Sequence, residues 1–442
     1  MGKATSLVER VRISEMVNAG YKNKEIAAEV GWSMATVKKW RRRVVAKGRA
    51  GLASVMGRPV KGALSTFAEA IPAHLTQWRE AHPGWGPDVL VDQMQNDEAV
   101  CLLKQPSRSS VGRYLKAQGL TRRYQRQSAL PESPSPREQS AHECWEMDAR
   151  GHEAVPGVGV VALINLNDRF SRTRLLSYPC VVGGQRWQRH PNTEDYQLAL
   201  RLAFTDWGLP QRLQVDHASV FFDNLSPSPF PTRIHLWLLA LGVPLTFSRR
   251  AQEQGITERS HQTWWNQVVA EQTFADWSAL YHALRHHRER LNQRLPCASL
   301  DRQPPLVAHS DAVHSGRTYR PEWEAELLDF NHVWDYLAQG RWFRRLSKDA
   351  TFSLGNQVYY VGHPWSLLDC EITFDPERRQ LVCRNDAGDI FARKPIQGVT
   401  ASDLMGAFAL AFNLPFFQLA LPFAHEPDYR LRLFETIRVT TL

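Results

Sequence analysis

Three carboxylates stand where their types and surroundings would let them do chemistry. Asp148 closes the apolar run of ECWEMDARG, Asp216 closes that of LQVDHAS, and Glu258 lies in QGITERSHQTWW, in the first turn of an expected helix. An aspartate just past a buried strand emerges at the sheet edge, held rigidly yet open to solvent and to a cation. A carboxylate in a helix's first turn is favoured by the helix dipole. Singly, each is an ordinary solvated strand end or helix-start charge. Together, three hard oxygen donors at the ends of adjacent elements can hold two divalent ions. Such a pair activates a nucleophilic oxygen and stabilises the leaving oxygen of an in-line phosphoryl displacement.

Other polar groups compete for the role. Glu146 precedes Asp148 by two residues and points to the same face further back along the strand, and Asp168 precedes an Arg-rich turn and is expected to pair with Arg169 or Arg172. His217 and His261 flank the ligand positions and read as polar neighbours or DNA contacts. His282 and His286 have i, i+4 spacing but no HExxH arrangement, so a zinc site is not expected.

The carboxylates need a scaffold, and the hydrophobic periodicity supplies one. Strands are expected at Cys144 to Met147, Val158 to Asn165 and Arg174 to Pro179, then a helix at Thr193 to Trp207 and a strand at Arg212 to Val215. A Pro-rich excursion (Ser226 to Pro231), a helix (Thr232 to Leu241), a strand (Pro244 to Phe247) and helices Ile256 to Glu271 and Trp277 to Arg290 follow. The order is β-β-β-α-β-α-β, with Asp148 and Asp216 ending the first and fourth strands.

Upstream, the chain is basic. Residues 1–126 hold 22 Lys and Arg against 10 Asp and Glu, whereas the whole chain carries a net +9, so the remainder is slightly acidic. A basic block of this kind faces a polyanion, nucleic acid or an acidic membrane. Leu7 to Asn18 reads as a helix stopped at Gly20. Lys22 to Val30, the Gly31-Trp32-Ser33 turn and Met34 to Val45, with Ser33 as N-cap, have helix-turn-helix spacing. Val37, Trp40 and Val44 face inward, leaving Lys38, Lys39, Arg41, Arg42 and Arg43 for the major groove; a small solvated helical bundle is the alternative. A second helical set runs from Leu64, with Phe67, Ile71, Leu75 and Trp78 as one stripe, Pro87 to Met94, and Ser107 to Gln118 carrying Arg108, Arg113 and Lys116 outward.

The expected organisation is therefore multidomain. It comprises a helix-turn-helix domain (1–50), a second helical, helix-turn-helix-like domain (62–120), a Pro-rich linker (121–141), an α/β core (142–300), a helical connector (301–340) with a helix at Trp323 to Leu337, a small five-stranded β-barrel (341–400) and a C-terminal tail (401–442). The six cysteines are scattered with no CxxC, and the first residues are charged where a signal peptide would be apolar, so a reduced, cytoplasmic protein is expected. Met405 to Ala424 lacks charge over the length of a membrane span, but Pro415, Pro422, Asn413 and Gln418 argue against one.

The order strand-Asp148, strand-Asp216, helix-Glu258 resembles the catalytic core of retroviral integrases and of insertion-sequence and Mu-like transposases, which share a ribonuclease-H-like fold. WEMDARG is similar to the family's W-x-x-D opening, NDRFSR (Asn167 to Arg172) to its second-strand motif, GLPQRLQVDHASVF to its G-x-P-x-x-x-x-x-D-x-G-x-x-F block, and QEQGITERSH to its P-Q-x-x-G-x-x-E-R block. Ala218 and Ala251 replace the usual glycine and proline. Gln262 and Trp265 stand where relatives often carry basic DNA contacts, and helix-turn-helix units replace the zinc-binding His/Cys module of retroviral integrases. The interval from Asp216 to Glu258 exceeds the family's usual one, and the Pro-rich excursion accounts for the surplus.

The resemblance implies a DNA transposase with Asp148, Asp216 and Glu258 as catalytic residues and metal ligands for Mg²⁺, two ions being expected and Mn²⁺ able to substitute. It implies double-stranded DNA as partner, both element ends and target. Lys38, Lys39, Arg41, Arg42, Arg43, Arg108, Arg113, Arg259 and Gln262 are the candidate DNA contacts, and at least two copies must assemble on DNA. A DNA-binding regulator with a silent core is the rival, and a nuclease that hydrolyses without joining is a second enzyme reading. Terminal-repeat sequence, target choice and the need for an ATPase helper are not written in the chain.

Overall fold

The computed structural model describes residues 5–53, 62–121, 138–184, 188–248, 261–270 and 272–406. The chain divides into two compact units, Met1–Phe67 and Ala68–Leu442.

In the first unit, helices α1 (Leu7–Asn18), α2 (Asn23–Val30) and α3 (Met34–Lys47) enclose Ile13, Met16, Ile26, Val37 and Trp40. Ser6 and Glu9 form a capping box at the start of α1. Gly31, at φ 69°, ends α2 in a left-handed turn that only glycine adopts without cost, and the Ser33 side chain accepts from the Thr36 amide at 3.3 Å to start α3. The expected helix-turn-helix geometry is present.

The second unit opens with α4 (Ala70–Ala81), α5 (Pro87–Asn96) and α6 (Arg108–Ala117). Ile71, Leu75, Leu90, Val111 and Leu115 are buried. These helices do not hang free of the core. A Cβ on Gly84 would lie 1.5 Å from the Asn266 carbonyl oxygen, so backbone meets backbone there. Trp85 Nε1–H donates to the Gln267 carbonyl at 3.1 Å, and Asp92 of α5 accepts from Arg290 at 2.8 and 2.9 Å and pairs with Arg294 at 3.3 Å.

The core sheet contains β1 (Cys144–Val155), β2 (Gly159–Asp168), β3 (Arg174–Gly183), β4 (Arg212–Val215) and β5 (Leu245–Phe247) in the order β3-β2-β1-β4-β5. The first three strands form an antiparallel meander, and β4 and β5 run parallel to β1. Helices α7 (Thr193–Trp207) and α8 (Arg233–Ala240) supply the crossovers, giving the β-β-β-α-β-α-β order expected. Trp145, Met147, Ile164 and Leu166 pack with Phe204 and Trp237 from these helices. Val161 and Leu163, on the opposite face by strand alternation, pack with Trp264, Val268 and the helix Trp277–Gln293.

Four expectations are corrected. β1 continues seven residues past Asp148, through a bulge at Gly151/Glu153, because pairing with β2 carries its polar end onward. The helix expected over Trp323 to Leu337 breaks into a turn at Glu324–Leu327 and a helix at Phe330–Ala338, with Asp329 capping the second. Asp168 pairs with neither Arg169 nor Arg172. It is fully buried and accepts from the Ser171 amide (2.8 Å), the Ser171 hydroxyl (2.5 Å) and the His142 amide (2.9 Å), while Arg169 reaches Glu138 at 3.0 Å. The C-terminal region is not a closed five-stranded barrel. It is an open antiparallel sheet, β11-β10-β9-β6, beside the hairpin β7-β8. These strands are β6 (Arg341–Arg345), β7 (Thr351–Leu354), β8 (Gln357–Tyr360), β9 (Asp369–Asp375), β10 (Gln380–Arg384) and β11 (Ile390–Pro395). β6, absent from the expectation, lies at one edge of the sheet.

That edge meets the Pro-rich excursion of the core. Ser228 Oγ–H donates to the Arg341 carbonyl at 3.1 Å and accepts from the Phe343 amide at 3.2 Å, Arg344 donates to the Ser228 carbonyl, and Trp342 donates to that of Pro229. Phe230 packs on Trp342.

Two further networks fix the unit. Glu324, fully buried, accepts from both Arg201 Nε and Nη2 at 2.7 Å, from Trp237 at 2.8 Å and from the Tyr319 hydroxyl. Arg201 also donates to the Met405 carbonyl, which ties the short helix Ala401–Met405 to α7. No helix among the described residues is long and apolar enough to cross a membrane, and of the uncharged stretch Met405 to Ala424 all but its first two residues lie outside them.

Candidate active site

Strand alternation puts Glu146 and Asp148 of β1 on the face opposite Trp145 and Met147. Across the sheet Asp148 stands directly opposite Asn165 of β2, and Asn165 opposite Ser177 of β3. On the other side β1 and β4 pair in parallel through Glu146 and Gln214, so the register advanced by two residues brings Asp216 beside Asp148. The order of strands, rather than any local motif, is what unites two aspartates separated by 67 residues of sequence.

Both carboxylates face a partly open site. Asp148 keeps about 20% of its side chain exposed. Asp216 accepts from the Ala218 amide at 3.0 Å. Burial holds its carboxyl above the usual carboxylate range, opposed by that amide, and the negative charge of Asp148 raises it further. Tyr196 of α7, itself buried, is pushed well up by burial and then by the charges of Asp216 and Asp148, so its phenol stays protonated.

Glu258 and Arg259 lie outside the described residues, as does most of the first half of the expected helix Ile256 to Glu271. From residue 261 the chain is helical and passes into a π-turn at Trp265–Val269. Gln262 is exposed. Trp265, in contrast, is partly buried against Val268 and its neighbours, which makes it a packing residue. His261 is 2% exposed and lies over the Asp148–Asn165 pair, with Nε2 3.1 Å from Asp148 Oδ2 and Nδ1 2.8 Å from Asn165 Nδ2. The sequence signals Asn165 and Tyr196 only weakly, since each reads as one more residue of a strand or helix. Glu146 is fully buried beneath the site, while His217 is exposed and stacks on Phe247. Among the described residues His282 and His286 belong to no group of three or more potential metal ligands.

Among the described residues no group of three or more His, Cys, Asp or Glu side chains is poised to hold a metal ion. Asp148 and Asp216 supply two hard oxygen donors whose mutual repulsion a divalent cation would relieve. That donor set fits Mg²⁺, which takes carboxylate oxygens and retains water at its other positions.

In the N-terminal unit the five candidate DNA contacts of α3 divide by environment. Arg41 donates to the Tyr21 carbonyl and to Asn23 Oδ1, both at 3.0 Å, and so braces the α1–α2 turn. Arg43 lies 4.8 Å over the Trp40 ring and donates to the Ala53 carbonyl. Lys38, Lys39 and Arg42 are exposed. In the second helical set Arg108 pairs with Asp88 at 3.0 Å, while Arg113 is exposed and reaches back to Ser109 and Ser110.

Residues 4–53 match the family described as a homeodomain-like domain. Among solved structures, the chain is similar to the HTLV-2 integrase catalytic core domain in complex with magnesium, trimeric form, at 13% identity over 38% of this chain and 97% of that one, with a TM-score of 0.27. It is also similar to a chain of the simian T-cell lymphotropic virus intasome in complex with the PP2A regulatory subunit B56 gamma, at 11% identity over 73% of this chain and 96% of that one, with a TM-score of 0.31. The chain thus carries a homeodomain-like helix-turn-helix match over residues 4–53, and a mixed α/β core with the strand order β3-β2-β1-β4-β5 follows it in sequence.

Proposed function

We propose that the protein is a DNA transposase that binds the ends of a mobile element and catalyses 3′-end cleavage and strand transfer into target DNA. The observation that supports this reading is the placement of Asp148 beside Asp216 by the parallel register of β1 and β4, partly open to solvent, in a chain that also holds a helix-turn-helix domain.

In this reading Asp148 and Asp216, with Glu258 as third ligand, hold Mg²⁺ or Mn²⁺. The ions supply Lewis acidity that lowers the cost of charge on the attacking and leaving oxygens. Water attacks a phosphodiester at the element end, and the bond to the 3′-oxygen breaks as that oxygen takes up a proton. The freed 3′-hydroxyl then attacks a target phosphodiester at the same site, and the bond from phosphorus to the target 3′-oxygen breaks as that oxygen takes up the proton. One bond forms as one breaks, so no nucleotide cofactor and no covalent protein intermediate is needed. The carboxylates fix the line of attack, and the protonated Tyr196 beside them adds no competing charge.

Lys38, Lys39 and Arg42 are the primary phosphate and base contacts of the first domain, with Arg113, Arg259 and Gln262 as further contacts. Arg41, Arg43 and Arg108 contribute after meeting their structural partners. Two ends must be joined at nearby target phosphates, so at least two copies act together, in the cytoplasm on chromosomal DNA.

The test is a strand-transfer assay with the element's own ends. Asp148→Asn, Asp216→Asn and Glu258→Gln should each lower cleavage and joining by several orders of magnitude while end binding persists. Full activity in Asp216→Asn would overturn the assignment.

A further inference from the structure

We infer that His261 is a positioning residue that fixes the rotamer of Asp148 for metal capture, an inference that rests on the metal-ligand reading of Asp148 above. Ser177, Asn165 and Asp148 form a cross-strand row through β3, β2 and β1, and His261 closes over the row from the segment after β5. The hydrogen bonds assign its proton. The Asn165 amide nitrogen at 2.8 Å and the Trp264 indole N–H at 3.5 Å both approach Nδ1, which is therefore the acceptor. The Ser177 hydroxyl donates to Asn165 Oδ1 at 2.7 Å, and the amide nitrogen faces the imidazole; the Trp264 indole, which can only donate, independently marks Nδ1 as the acceptor. The remaining ring proton sits on Nε2 and points at Asp148 Oδ2, 3.1 Å away.

Three consequences follow. An Nε2 that donates has no lone pair to offer a cation, so His261 orients the ligand rather than joining it. One oxygen of Asp148 is anchored, which leaves Oδ1 and the second lone pair of Oδ2 free to bind. At 2% exposure the ring is also screened from DNA, so a direct DNA contact does not explain its presence. Partners that hold metal ligands in this way are typically worth about 10- to 100-fold in metal affinity or activity.

The experiment is Mn²⁺ binding to the full-length protein without DNA, followed by electron paramagnetic resonance, with thermal unfolding to establish that each variant is folded. His261→Ala should weaken Mn²⁺ affinity about 10- to 100-fold. His261→Gln, whose amide can donate from near the Nε2 position, should recover most of the loss. Asn165→Ala should weaken binding less, and the Asn165→Ala/His261→Ala double variant should be no worse than His261→Ala alone, because the two residues act as one chain. Folded His261→Ala with wild-type affinity would overturn the inference. So would His261→Gln binding as poorly as His261→Ala, which would make the imidazole itself a ligand. If His261→Ala does not fold, His261→Gln and Asn165→Ala decide alone: wild-type affinity in Asn165→Ala, or a loss in His261→Gln exceeding it, refutes the relay. Asp148→Asn is the control that separates the two readings, since unchanged Mn²⁺ affinity in that variant would defeat the metal site itself rather than the role of His261.

Discussion

Replacing Asp92 should detach α4–α6 from the core without unfolding it. The Asp92 and Arg290 side chains are each 8% exposed, and the carboxylate takes two hydrogen bonds from Arg290 and a third contact from Arg294. In Asp92→Ala, Arg290 keeps, among the described residues, the Val89 carbonyl at 3.4 Å and the Trp85 ring at 5.5 Å, and Arg294 faces it with like charge. Breaking one partner of a buried pair costs about 3–5 kcal/mol, because the other charge is left desolvated. At about 1.4 kcal/mol per decade, that corresponds to a loss of roughly 10²- to 4 × 10³-fold in hydrogen-exchange protection across α5. Amides of β2 and α7 should be unaffected. The compensated variant Asp92→Leu/Arg290→Met should recover most of the protection, since removing both charges removes the desolvation cost as well. Protection in α5 unchanged within threefold in Asp92→Ala would refute the reasoning and would mean that the Gly84 and Trp85 contacts alone hold the helices.

Arg42→Ala should reduce the salt dependence of DNA binding by about one log-log unit and leave stability within about 0.5 kcal/mol, as measured by binding titrations at several salt concentrations. Arg43→Ala should instead lower the melting temperature of the first unit, because it removes the cover over Trp40 and the bond to Ala53; equal melting temperatures for the two variants would contradict the division. Burial pushes the His287 imidazole down to about 3 and that of His235 to about 4. Both lie below the unfolded value near 6.5, so the unfolded chain takes the proton first. Their contribution is complete above about pH 6.5 and falls away as the pH drops toward the folded values, by roughly 2 kcal/mol each at pH 5. Urea midpoints at pH 7 and pH 5 should show the drop in wild type and a smaller one in His287→Asn.

The fold was legible where one period governs a segment. Thr193 to Trp207 and Arg212 to Val215 appear at their expected bounds because each is a clean helical or strand pattern bounded by Asn192 and Gly208 or by turn residues. It was less legible where pairing overrides composition: DARGHE reads as the end of a strand, yet β2 draws it onward through a bulge. The barrel was misjudged because alternation reports strands, not closure, and β6 is too Arg-rich to look buried. Of the candidate site, Asp148 and Asp216 are conspicuous in the sequence because each ends an apolar run. Asn165 and His261 did not, because their value lies in a row across three strands that no linear window contains.

The Pro-rich excursion between the two halves of the core has a consequence for how this protein can be taken apart. By supplying both a donor and an acceptor to β6, Ser228 stands in for a missing neighbouring strand and occupies an edge that would otherwise recruit another chain. Phe230 is 6% exposed, covered by Trp342 and by the β7–β8 turn at Gly355. A fragment cut after residue 300 would carry the excursion but not its counterpart, and a fragment begun at residue 341 would carry a bare, Arg- and Phe-bearing edge. The α/β core and C-terminal sheet are thus a single heritable block: recombination that shuffles one without the other leaves each half adhesive, and the seam for exchange lies upstream, before Ala68.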